Sequence, residues 1–150
     1  MKIKIISLIL MCILLISCPI TTYASDISNE QQILVMPRFS NCSKCVVTFT
    51  VSDPNTAYVG VTYNAYSDTF VQAKVTVQIQ KKFLGLFWTT VDIGYSNNEW
   101  VDYSSAVNGY FYNSFTIDGT GTYRANFVVE IEGKDGSVDV IEDSIERKYS

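Results

Sequence analysis

The chain contains no histidine. That excludes every Ser-His or Cys-His relay and removes a standard zinc ligand. Of its four cysteines, Cys12 and Cys18 fall in an apolar N-terminal stretch. Cys42 and Cys45 are too few to build a zinc site without histidine. Positive charge is also scarce, with 11 Lys and Arg against 15 Asp and Glu and a net charge of −4. An acidic balance argues against nucleic acid and against anionic lipid as bulk electrostatic partners. Neither a phosphate-binding glycine loop nor a nucleotide fingerprint occurs. A glycosidase needs two carboxylates opposed across a cleft, and nothing in the sequence places a pair so. These absences point to a non-catalytic protein without a cofactor.

What is present begins with a targeting pattern. Lys2 and Lys4 precede an apolar run from Ile5 to Ile16, and a polar stretch ends in Thr22-Tyr23-Ala24. That order is the layout of a secretory signal peptide. The run is shorter than the ~20 residues of a membrane-spanning helix, so cleavage near Ala24 is favoured over retention. Leu15-Ile16-Ser17-Cys18 resembles a lipobox. Lipid anchoring at Cys18 is a less favoured variant, because Pro19 follows the cysteine. The expected organisation is a signal peptide over 1–24, a polar leader over 25–37 and one domain over 38–150, secreted to the outside of the cell. Loss of Lys2 and Lys4 leaves nine cations against 15 acids, a net charge of −6. In that oxidising compartment Cys42 and Cys45 are expected to form a disulfide. A redox Cys-x-x-Cys is disfavoured, since the pair opens a strand and not a helix.

From residue 45 onward the dominant period is two. Val47, Phe49 and Val51 alternate with Val46, Thr48 and Thr50, and Val59, Val61 and Tyr63 with Tyr58, Gly60 and Thr62. Val75, Val77 and Ile79 form a third set; Phe111, Phe115 and Ile117 belong to a fourth. Tyr123 to Ile131 is the cleanest, with odd positions apolar and most even positions polar. Weaker strands read at 88–95 and 138–145. Turn chemistry separates the sets at Ser52-Asp53-Pro54-Asn55, Asn97-Asn98, Asn108-Gly109, Asp118-Gly119-Thr120-Gly121 and Gly133-Lys134-Asp135-Gly136. No stretch keeps a helical period over three turns. About seven antiparallel strands imply an all-β, immunoglobulin-like sandwich, with a closed barrel as the alternative.

Three features carry the functional expectations. Phe83-Leu84-Gly85-Leu86-Phe87-Trp88 is apolar where a polar hairpin turn is expected. It either offers a contact site for a partner, sugar or membrane interface, or folds back to cap one end of the sandwich. Capping is favoured, with one or two residues left exposed. Second, Tyr103, Tyr110 and Tyr112 with Trp100 could form a face for a glycan or a surface protein, although core and cross-strand packing is the commoner use of such residues. Third, the acids Glu130, Glu132, Asp135, Asp139, Glu142, Asp143 and Glu146 lack the spacing of a calcium loop, and read as a solvated face.

Asp118-Gly-Thr-Gly-Thr-Tyr123-Arg-Ala125 matches the acid, glycine and tyrosine of a tyrosine corner, with Ala125 where antibody domains carry cysteine. Arg38-Phe39, Cys45, Thr56-Ala57, Ile79-Gln80-Lys81-Lys82, Trp88-Thr89-Thr90-Val91 and Gly121-Thr122-Tyr123-Arg124 follow one another in order. Together they resemble the small exported β-sandwich proteins of Gram-positive, clostridial-type gut anaerobes. The resemblance implies a secreted immunoglobulin-like fold and no activity. In that family a second-strand cysteine can pair with the first; here Val59 stands there, which leaves Cys42 as partner for Cys45. The chain is therefore expected to be a secreted binding module. The alternative is a membrane-active, bacteriocin-like effector that inserts residues 83–88.

Overall fold

The computed structural model describes the backbone of residues 32–34 and all of residues 39–150. The expected signal peptide, Cys18 and Arg38 lie outside these residues. Nine strands run through the described chain: β1 (Gln32–Leu34), β2 (Cys42–Ser52), β3 (Thr56–Ala65), β4 (Phe70–Phe83), β5 (Phe87–Thr90), β6 (Trp100–Ser104), β7 (Asn108–Thr116), β8 (Gly121–Gly133) and β9 (Val138–Tyr149). A single 3-10 turn at Ser96–Asn98 is the only helical element among them. Every strand pairing is antiparallel.

The strands form two sheets. One has the order β1-β2-β3-β7. In the other, β9, β8 and β4 are adjacent, and β4's far edge is shared by β5 along Gln80–Phe83 and β6 along Ala73–Val77. Alternation along each strand sends one set of side chains inward. Val47, Phe49, Val59 and Val61 from the first sheet join Val75, Val77, Phe127 and Val129 from the second in one buried cluster. At about 25 cal/mol per Å² of apolar surface, that shared core is what holds the two layers together.

Several expectations change. The weak strand expected over 88–95 is short, ending at Thr90, and a separate β6 starts at Trp100. Val91 still donates its N–H to the Ile79 carbonyl, after which the chain leaves the sheet. A three-residue strand, β1, arises within the segment read as a polar leader, pairing Ile33 with Val46. Asn108-Gly109 is not a turn but the start of β7, with Gly109 opposite Tyr63. The glycine is there for space: a Cβ on Gly109 would sit 2.3 Å from the Tyr63 hydroxyl oxygen.

Two polar pins close the ends. Asn41, almost fully buried, donates its backbone N–H to Asp139 Oδ2 at 2.7 Å and its side-chain amide to Ser137 Oγ at 3.0 Å. This ties the entry to β2 onto β9. At the opposite end Tyr123 is fully buried, and its hydroxyl bonds the carbonyls of Asp118 and Gly119, the latter at 2.7 Å. Both acceptors lie in the chain entering β8, so the bond fixes that corner.

The cysteines depart from the disulfide expectation. Both are buried free thiols. A bulge at Ser43, where the register slips between Cys42 and Lys44, turns both side chains toward the interior. Cys42 Sγ bonds the Lys44 carbonyl at 3.0 Å. Burial raises the Cys42 pKa and pushes that of Cys45 up to about 12, with the Cys42 charge adding to the latter. Thiols so held are poor nucleophiles.

Candidate functional site

The apolar turn is a protruding hairpin tip. Phe83 pairs with Phe87, and Leu86 donates its N–H to the Phe83 carbonyl at 3.0 Å. Leu84 and Gly85 both have positive φ, 49° and 71°. Two positive φ values in succession mark a type I′ turn, which prefers Asn-Gly. A leucine in this left-handed region is strained by roughly 1–2 kcal/mol. Local folding therefore does not account for Leu84.

Nothing among the described residues covers the tip. Phe83, Leu84, Leu86 and Phe87 are 56%, 76%, 72% and 61% exposed. The capping expectation is thus corrected, since all four point away from the core. The reason is the length of β4, which carries Phe83 beyond the last core residue on its inward face, Ile79. Trp88 is only half-buried and lies on the outer face, with the Arg124 guanidinium 4.3 Å and the Lys82 ammonium 5.2 Å from its ring centre. Both are within cation–π range. Arg124 is held further by Gln80 Oε1, 2.8 Å from its Nε.

More cations gather here than net charge foretells. Lys81 bonds the Asp118 carbonyl and lies 5.3 Å from the Tyr123 ring centre. Arg147 and Lys148 sit in register with Tyr123 and Thr122 at the same end of the sheet. Among the described residues only Lys44, Lys74 and Lys134 lie elsewhere. The acids placed near the tip are Asp53, Asp118 and Glu146. Most of the remaining acids serve other surfaces. Glu130 pairs with Lys74 at 2.6 Å, and Glu132 accepts from Gln72 Nε2 at 2.6 Å. The chain is acidic overall yet locally basic at the tip, and screening over about 8 Å makes the local charge the relevant one for a surface contact.

The aromatic set divides. Trp100 is 4% exposed and packs against Phe115, ring centres 5.9 Å apart, so it belongs to the core. Tyr103 is exposed but stands on β6, opposite Lys74, in the other sheet from Tyr110 and Tyr112. Tyr110 and Tyr112 do come together, 6.0 Å between centres, and are joined by Tyr58, 6.2 Å from Tyr112. Sequence reasoning left Tyr58 out of the group, because only the pairing of β3 with β7 brings it there.

The outer face of the second sheet bears a shallow groove lined by Glu99, Asn126, Glu142 and Asp143, among others. No three histidine, cysteine or acidic side chains converge on a point that could hold a metal ion among the described residues. No protein-family model matches the chain, and no curated protein matches it.

Proposed function

We propose that this chain is an exported, non-catalytic binding module of the immunoglobulin-like type, which docks on anionic membrane surfaces through the Phe83–Trp88 tip. The observation that carries the docking is the tip itself: four large apolar side chains, each more than half exposed, on a hairpin flanked by Lys81, Lys82 and Arg124. The fold type is supported by strand order. The first three long strands in immunoglobulin labelling correspond to β2, β3 and β4; β2, β3 and β7 share one sheet while β4, β8 and β9 share the other. That is the A-B-E and C-F-G division, and Tyr123 supplies the corner bond. Export rests on the Lys2 to Ala24 pattern, in keeping with the resemblance to exported proteins of gut anaerobes.

The magnitudes suit a reversible attachment. Burying what is exposed of the four side chains contributes about 5 kcal/mol, from ~2 kcal/mol per fully buried large apolar residue. Cations near an anionic bilayer add about 1 kcal/mol each. With two or three engaged, the total reaches about 8 kcal/mol, a micromolar association. Inserted phenylalanine, leucine and tryptophan with flanking lysine and arginine form the usual composition of an interfacial contact.

Vesicle co-sedimentation tests this reading. Wild-type protein should pellet with phosphatidylglycerol-containing vesicles, less with pure phosphatidylcholine, and less again as salt rises. The Leu84→Ser, Leu86→Ser double variant should keep its stability and lose most of the pelleting. Wild-type protein that stays in the supernatant at low salt with anionic vesicles sinks the proposal.

A further inference from the structure

The outward side of the first sheet carries a feature that the tip does not use. Tyr58, Tyr112 and Tyr110 form a row across β3 and β7, with ring planes 25° and 20° from parallel. Tyr110 and Tyr112 are 62% and 53% exposed, and Tyr58 is half-buried. The row is set in place by a glycine. A Cβ on Gly60 would lie 3.0 Å from the Tyr110 hydroxyl oxygen and 3.3 Å from its Cε2. The absent side chain lets the Tyr110 ring lean across β3 toward Thr48. Such packing of an aromatic over a cross-strand glycine is a known means of fixing both.

The surroundings say what this row would recognise. β2, β3 and β7 contain one charged residue between them, Lys44. Outward positions beside the rings are Thr48, Thr50, Thr62 and Ser114. The face therefore offers aromatic surfaces and neutral hydroxyls, in a protein whose other surfaces are densely charged. A nucleic acid also stacks on aromatics but needs a cationic track for its phosphates, which is missing. A protein contact draws its energy from anchors sunk in desolvated pockets, tyrosine, tryptophan and arginine foremost; here the tyrosines stand on an open sheet face, already packed against one another. A peptide adding as a strand would use the free edge of β7 and its backbone groups, not the rings. A neutral sugar chain fits each point. The C–H faces of pyranose rings lie against aromatic faces, their hydroxyls exchange hydrogen bonds with threonine, serine and tyrosine hydroxyls, and successive sugars repeat on the scale of the ring spacing.

We propose that the Tyr58–Tyr112–Tyr110 row is a binding site for an uncharged polysaccharide, independent of the hairpin tip. Native affinity electrophoresis tests it, with soluble xylan, mixed-linkage β-glucan or galactomannan cast into the gel and polygalacturonate as the charged control. At least one neutral polymer should retard the protein. Tyr112→Ala should weaken that retardation tenfold or more while circular dichroism and the thermal midpoint stay within a few degrees of wild type. Tyr112→Trp should retain it, and Tyr103→Ala, on the other sheet, should leave it unchanged. The Leu84→Ser, Leu86→Ser variant should bind the polymer as wild type does, even if the tip has no affinity for vesicles. The proposal is overturned if no neutral polymer retards the wild type, if Tyr112→Ala is retarded equally, or if polygalacturonate binds as well. Capture of an unglycosylated envelope protein that depends on Tyr112, without polysaccharide binding, would likewise overturn it and make the face a protein contact.

Discussion

Leu84→Asn separates a functional tip from a structural one. Leu84 sits at φ 49°, ahead of Gly85 at φ 71°. Asparagine is the residue a type I′ turn favours at this place, because its short polar side chain tolerates the left-handed conformation. Relief of part of the ~1–2 kcal/mol strain should stabilise the hairpin by about 0.5–1 kcal/mol. Against this stands lost burial. Leu84 is 76% exposed, so only about a quarter of its ~2 kcal/mol burial energy, about 0.5 kcal/mol, is forfeited. The net change lies between zero and about 0.5 kcal/mol in favour of the variant. With a urea slope of ~1–3 kcal/mol per molar, the denaturation midpoint should hold or rise by up to about 0.5 M. Association with anionic vesicles should weaken about tenfold, because the exposed part of one leucine is worth roughly 1.4 kcal/mol in the bilayer. A midpoint lowered by a molar or more would mean a leucine packed at about 2–5 kcal/mol. The exposed-tip reasoning would then be wrong.

Three further outcomes follow from the core and its corners. Tyr123→Phe removes the hydroxyl that bonds the Asp118 and Gly119 carbonyls; a loss of about 1 kcal/mol is expected by chemical denaturation, and an unchanged midpoint would deny the corner its role. Gly109→Ala places a methyl 2.3 Å from the Tyr63 hydroxyl oxygen, itself bonded to the Ala106 carbonyl at 2.7 Å. It should cost about 1–3 kcal/mol as an overpacked site, and a neutral thermal midpoint would contradict the packing described. Cys42 and Cys45 should resist thiol reagents until the protein unfolds, and intact mass should show no loss of two hydrogens. Because the pKa of Cys45 is raised to about 12 from an ordinary 9.0, the unfolded chain releases its proton first. Stability is then full below about pH 9 and falls as pH climbs toward 12. Cys45→Val should flatten that decline; an identical pH profile in the variant would assign it elsewhere.

The alternation of Tyr123 to Ile131 was enough to place a strand with one buried face, because side chains on a strand change sides at every residue. The same local rule exposed the odd composition of Phe83 to Trp88, and the Asp118 to Ala125 spacing pointed to the corner at Tyr123. Each of these depends only on neighbours in the chain. What the tertiary structure decided was pairing. Tyr58 meets Tyr112 only because β3 lies beside β7, and Trp100 enters the core only because β6 pairs with β4 at Val77. Composition fixed the net charge, while the register of β8 with β9 brought Arg147 and Lys148 to the end where Lys81, Lys82 and Arg124 already stood. A bulge of one residue at Ser43 turned Cys42 toward the interior with Cys45. Period-two patterning states which face a residue takes, but partners across a sheet are chosen by contacts distant in sequence, and no local rule carries them.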